Sequence, residues 1–141
     1  MSDAEFLAAV ELAALGTPPD GFRFGHRDHL RLAWLQLDRL GPERGAEATA
    51  RTLRRLDAVH GGGHYHETIT RFWLGLVGHA RERFAGTSFA SALADHPQLL
   101  DGSLPSSHYS RPLLESSEAR HGSVPPDLAS LPWEAGPGAR R

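Results

Sequence analysis

Two residue types are missing from the chain altogether. Its 141 residues include no cysteine, which excludes disulfides, thiolate metal ligands and a cysteine nucleophile. Lysine is absent as well, all 15 basic residues being arginine, so Schiff-base chemistry and a P-loop lysine are excluded too. Net charge is nearly absent: a formal −2 gives no electrostatic footprint for nucleic acid. No apolar run approaches the ~20 residues of a membrane span, and the N-terminus lacks the basic-then-apolar order of a signal peptide. The expected location is the cytoplasm, with no membrane or nucleic-acid partner. Strand-like alternation and internal repeats are also lacking.

What remains is a globular composition, 40% hydrophobic and 23% charged, long enough to enclose one core. The chemistry has to come from His, Asp, Glu, Tyr, Ser, Thr and Arg, and nine histidines are a generous supply.

Four segments carry helical periodicity. The first, "SDAEFLAAVELAALG", is capped by Ser2 or Asp3, shows a stripe of Phe6, Leu7, Val10 and Ala14, and ends at Gly16. The second runs from about residue 25 to 40 with Leu30, Ala33, Leu37 and Leu40 on one face and Trp34 beside it. Gly41-Pro42 ends it and opens a third, about 42 to 60, where Arg51, Arg54, Arg55 and Asp57 read as a solvent face. After the triple glycine Gly61–Gly63, the fourth runs from about 65 to 84 with Ile69, Trp73, Leu76, Val77 and Ala80 as its stripe. Beyond Gly86 the pattern predicts short helices, and "SVPPDLASLPW" has too many prolines for anything but an extended strap. The predicted class is all-α: an up-down-up-down four-helix bundle with a short-helix and Pro-rich C-terminal cover, residues 1–132 forming one domain and 133–141 a flexible tail.

The histidines fall where such a bundle would gather them. His26 and His29 occupy the first turn of the second helix, three residues apart and so on one face. His66 and Glu67 open the fourth, in a near-miss of the H-E-x-x-H zinc motif that has Thr70 where the second histidine belongs. His60 and His64 lie at the same expected end. The predicted metal site is therefore His26, His29 and His66, with Glu67 as fourth ligand or as base on a metal-bound water. Three nitrogens and a carboxylate suit a divalent transition metal, Zn, Fe or Ni. Tyr65 and His108 are candidate catalytic residues, and Thr70 and Tyr109 candidate pocket residues. The competing expectation is that His66 and Glu67 simply open a helix, within a polar network that holds no metal.

Other motifs carry less. "SSHYS" around His108 has no G-x-S-x-G elbow for a serine hydrolase, and Gly61–Gly63 follows no strand and precedes no G-K-S/T. The function expected is a small metal-dependent enzyme on a small-molecule substrate, of hydrolase, isomerase or non-haem iron oxygenase type. The alternative is a non-catalytic metal- or ligand-binding bundle, a sensor or carrier. A homodimer is compatible with either.

The order "HRDHLRLAW … YHETITRFW … LLDGSLPSSHYS … SEAR … PPDLASLP", about residues 22–132, resembles a family of small bacterial proteins with H-x-x-H-L and Y-H-E-T-I-T motifs. That resemblance implies no particular activity. In architecture alone the expected bundle is similar to the DNA-damage-inducible metal-binding bundles, whose histidine spacing differs from H-x-x-H; this is an analogy of form.

Overall fold

The computed structural model describes residues 1–135, and all regular structure among them is helical. Seven α-helices are present: α1 (Asp3–Ala14), α2 (His26–Leu40), α3 (Pro42–Val59), α4 (Glu67–Arg83), α5 (Phe89–Asp95), α6 (Arg111–Leu114) and α7 (Ser117–His121). Three single 3-10 turns, Pro97–Leu100, Leu104–Ser107 and Pro132–Ala135, complete the second half. None of these helices is long and apolar enough to cross a membrane. The chain divides into two compact units, Met1–Tyr65 and a second beginning at His66.

The first unit starts with a capping box. Ser2 Oγ accepts from the Glu5 amide at 3.1 Å, and Glu5 Oε1 accepts from the Ser2 amide at 2.8 Å, so two of the amides orphaned at the N-terminus of α1 are satisfied. Leu37 and Gly41 close α2, and Pro42 opens α3 without wasting an amide. The two helices then approach so closely at Gly45 that a Cβ there would lie 2.6 Å from the Gln36 carbonyl oxygen and the Leu37 Cα. The core joins Phe6, Val10, Ala13 and Ala14 of α1 to Leu32 and Leu56, with Phe22 and Phe24 of the α1–α2 loop packed against it.

In the second unit α4 is the organising element. No residue from Tyr65 through Arg81 is exposed. Val77 and Ala80 of the expected stripe are buried together with Thr68, Phe72 and Leu74, whereas Ile69, Trp73 and Leu76, also expected there, are only half-buried. The difference arises because Thr68 and Phe72 face the C-terminal segment, which no periodicity within α4 reveals. Phe72, Tyr109 and Leu131 form the core with Trp73, Leu76, Leu104, Leu113, Leu114, Val124 and Trp133 around them. Serine caps each short helix: Ser88, Ser110 and Ser116 accept from the amides of Ser91, Leu113 and Ala119.

The C-terminal strap is well anchored. The Leu128 amide donates to the His108 carbonyl at 2.9 Å, and Asp127 accepts from both the amide (2.7 Å) and the hydroxyl (2.5 Å) of Ser110. Trp133, expected to begin a flexible tail, instead lies over Gly75, where a Cβ would meet its ring at 2.4 Å. The rest of that expected tail, residues 136–141, lies outside the described residues.

Candidate functional site

His66 is the N-cap of α4. Its Nδ1 accepts from the Ile69 amide at 3.2 Å, three residues on, in the position a serine or aspartate usually fills. Its Nε2 lies 2.7 Å from the carbonyl oxygen of Leu114 at the end of α6. A carbonyl only accepts, so Nε2 bears the proton, and the two contacts together specify one neutral tautomer. The ring is 8% exposed, and both of its nitrogens are committed.

Its neighbours are similarly employed. Thr68, fully buried, shares its hydroxyl proton between the carbonyls of Ala119 (2.7 Å) and Gly122 (2.8 Å) and accepts from the Val124 amide at 3.2 Å. The carbonyls left without helical donors where α7 ends are thereby satisfied by one side chain of α4. Glu67 is ion-paired with Arg71 one turn later, at 2.7 Å, and stands at the helix end that favours an anion. Thr70 is half-buried, and its amide closes the first helical turn onto the His66 carbonyl at 3.0 Å. Tyr65 belongs to the first unit: its hydroxyl accepts from Arg54 at 3.3 Å, and that guanidinium lies 5.5 Å from its ring centroid.

His29 is in a different state. Its Nδ1 donates to the Gly25 carbonyl at 2.9 Å, and its ring sits 4.5 Å from that of Phe24. Burial pushes its pKa below the usual histidine value; the Gly25 hydrogen bond and Asp28 oppose the shift, and His26 one turn earlier adds to it. The imidazole is therefore neutral near pH 7, with its lone pair on Nε2. That atom has no partner among the described residues, and no buried side-chain nitrogen or oxygen there is left unpaired, so Nε2 reaches solvent. His26 is half-buried at the first position of α2.

The remaining candidates hold the scaffold. His108 Nδ1 donates to the Ala129 carbonyl at 3.2 Å, and its ring lies 5.5 Å from Phe72, which fastens the strap to the core. Tyr109 is 3% exposed, and burial, with Glu134 adding, raises its hydroxyl above the usual tyrosine range. His60 Nδ1 donates to the Leu56 carbonyl at 2.8 Å, and His64 lies 3.4 Å from Asp57 across the turn made by Gly61–Gly63, all three of which have positive φ. Among the described residues no group of three or more His, Asp or Glu residues is arranged to hold a metal ion. His26 and His29 lie in the first unit, His66 and Glu67 in the second.

Thr68 and Asp127 carry structure that no sequence motif marks. In "HETITRFW" nothing local separates Thr68 from Thr70, because the difference lies wholly in which one meets the carbonyls of α7. No family model, curated protein or solved structure matches this chain.

Proposed function

We propose that this chain is a non-catalytic binding protein, of the sensor or carrier class, that takes up a divalent transition-metal ion through the imidazole of His29, with His26 as the second nitrogen on the same helix face. One observation carries the reading. Burial keeps His29 neutral, the Gly25 carbonyl holds its Nδ1–H, and Nε2 presents a lone pair to solvent. A backbone carbonyl on the far nitrogen is the usual support of a metal-ligating histidine, since it sets the tautomer and the ring orientation. Zn, Fe and Ni all accept imidazole nitrogen. Two protein ligands leave the rest of the shell to water, which suits an exchangeable ion better than a structural one.

The metal-dependent enzyme expected from the histidine pattern makes heavier demands. A centre on His26, His29 and His66 would require His66 to give up the Ile69 amide that its Nδ1 accepts, and Glu67 to leave Arg71 before acting as a base. The up-down-up-down bundle belongs to that reading and is not needed by this one. The expected cytoplasmic location accompanies either.

Calorimetric titration of tag-free protein with Zn²⁺ and Ni²⁺ tests the proposal. The expected result is one ion per chain, affinity at least about tenfold weaker in His29→Ala, equivalent to ~1.4 kcal/mol, and binding retained in folded His66→Ala. Binding lost equally in both variants would favour the three-histidine centre instead. No binding by the wild type up to millimolar metal would end the proposal.

A further inference from the structure

α1 is apolar on both sides. Phe6, Ala9, Val10, Ala13 and Ala14 are buried, while Ala4, Ala8, Leu12 and Leu15 form a second row, at helical spacings of four, four and three, on the exposed side. Leu12 is 44% and Leu15 67% exposed. At the same end of the unit, Val59 of α3 is 45% exposed and lies 3.8 Å from where a Gly16 Cβ would stand, so it extends the row. The only charged residues of α1 are Asp3, Glu5 and Glu11. A surface helix ordinarily carries its polar residues on this side, and contiguous exposed apolar surface marks an interaction site.

We propose that this outer face of α1 pairs with the same face of a second copy of the chain, in an antiparallel two-fold contact. The order of sizes along the row points to this occupant. Small residues, Ala4 and Ala8, fill its first half and large ones, Leu12 and Leu15, its second. A two-fold axis crossing the row midway sets Leu15 against Ala4 and Leu12 against Ala8, large into small at every level, as an isologous interface requires. A parallel pairing would oppose alanine to alanine at one end and leucine to leucine at the other, leaving a void and a crowded contact. The face is 12 residues long, about 18 Å, so two of them bury well under about 1,200 Å², the size of a weak, exchanging dimer.

Charge sharpens the expectation. Glu11 flanks the row within about one residue of its midpoint, so the axis brings the two Glu11 carboxylates together on one side of the contact. Their repulsion weakens the dimer and makes it tighter in added salt. A partner with basic residues would give the opposite response. The proposal is independent of the role given to His29.

Sedimentation equilibrium from about 10 µM to about 1 mM reads it directly. The wild type should follow a monomer–dimer equilibrium that salt strengthens. Leu15→Ser should abolish association with the helical circular dichroism unchanged, since the side chain is exposed, and Ala8→Arg should do the same by filling the space Leu12 needs. Glu11→Gln should tighten the dimer about two- to fivefold. A single monomeric mass at every concentration overturns the proposal, as does association indifferent to both Leu15→Ser and Ala8→Arg. Weaker association of Glu11→Gln would also overturn it, pointing to a basic partner on this face.

Discussion

Replacing His66 by alanine separates a structural histidine from a metal ligand more sharply than any other change. The variant loses the cap on the Ile69 amide, a loss that costs about 0.5–2 kcal/mol in other helices. It also leaves the Leu114 carbonyl without its donor at a site where the imidazole is 8% exposed, adding about 1–3 kcal/mol where water does not enter. Overlap between the two losses and partial hydration of the cavity bring the expected total to about 2–4 kcal/mol, a large part of the stability of a small protein. Urea unfolding followed by circular dichroism measures it, with chelator present so that no bound ion contributes. His66→Asn is the companion variant: asparagine keeps an N-cap acceptor but is too short to keep the ring's contact with Leu114, so it should recover roughly the cap share alone. A loss below about 0.5 kcal/mol for His66→Ala in chelator would refute the reasoning. So would a wild type that chelator destabilises to the level of the variant, for the ring would then be acting through a metal.

Two further outcomes follow from the geometry. Gly75→Ala places a methyl group 2.4 Å from the Trp133 ring, so the strap should shift at a cost of about 1–3 kcal/mol, read as a change in tryptophan emission; an unchanged spectrum and melting temperature would mean Trp133 does not rest on α4. His29 takes up a proton less readily folded than unfolded, so its contribution to stability is complete above the unfolded value of about 6.5 and is lost as pH falls through the lower folded value. His29→Phe, which keeps a ring beside Phe24 and cannot titrate, should flatten that part of the stability–pH curve, and equal slopes in the two proteins would remove the cause assigned to the shift.

Helix positions were legible because their causes are local. Ser2 and Glu5 stand three residues apart and cap each other, and Gly41-Pro42 ends one helix and begins the next within two residues. Serine before each short C-terminal helix is the same kind of signal. All-helical structure among the described residues followed from periodicity alone, and the expected starts of α2, α3 and α4 lie within two residues of those observed. His26 and His29 share the first turn of α2 as expected, since three-residue spacing sets them on one face once the helix begins there.

The employment of side chains was not legible. Whether His66 ligates, caps or faces water depends on what lies within 3 Å of its two nitrogens. One of those partners, Leu114, is 48 residues away in the chain. Thr68 and Thr70 are alike in sequence, yet only the first meets the carbonyls of Ala119 and Gly122. The inward row of α4 keeps the expected Val77 and Ala80 but begins with Thr68 and Phe72 in place of Ile69 and Trp73 for the same reason, and the contact of Trp133 with Gly75 lies across 58 residues of chain, beyond the reach of local periodicity. Periodicity states that a helix has an apolar side. It does not identify the groups packed there, and hydrogen bonding is short-ranged and directional, so the sequence alone determined helices, caps and breaks. Only the tertiary structure decided which histidine is committed at both nitrogens and which keeps one open to solvent.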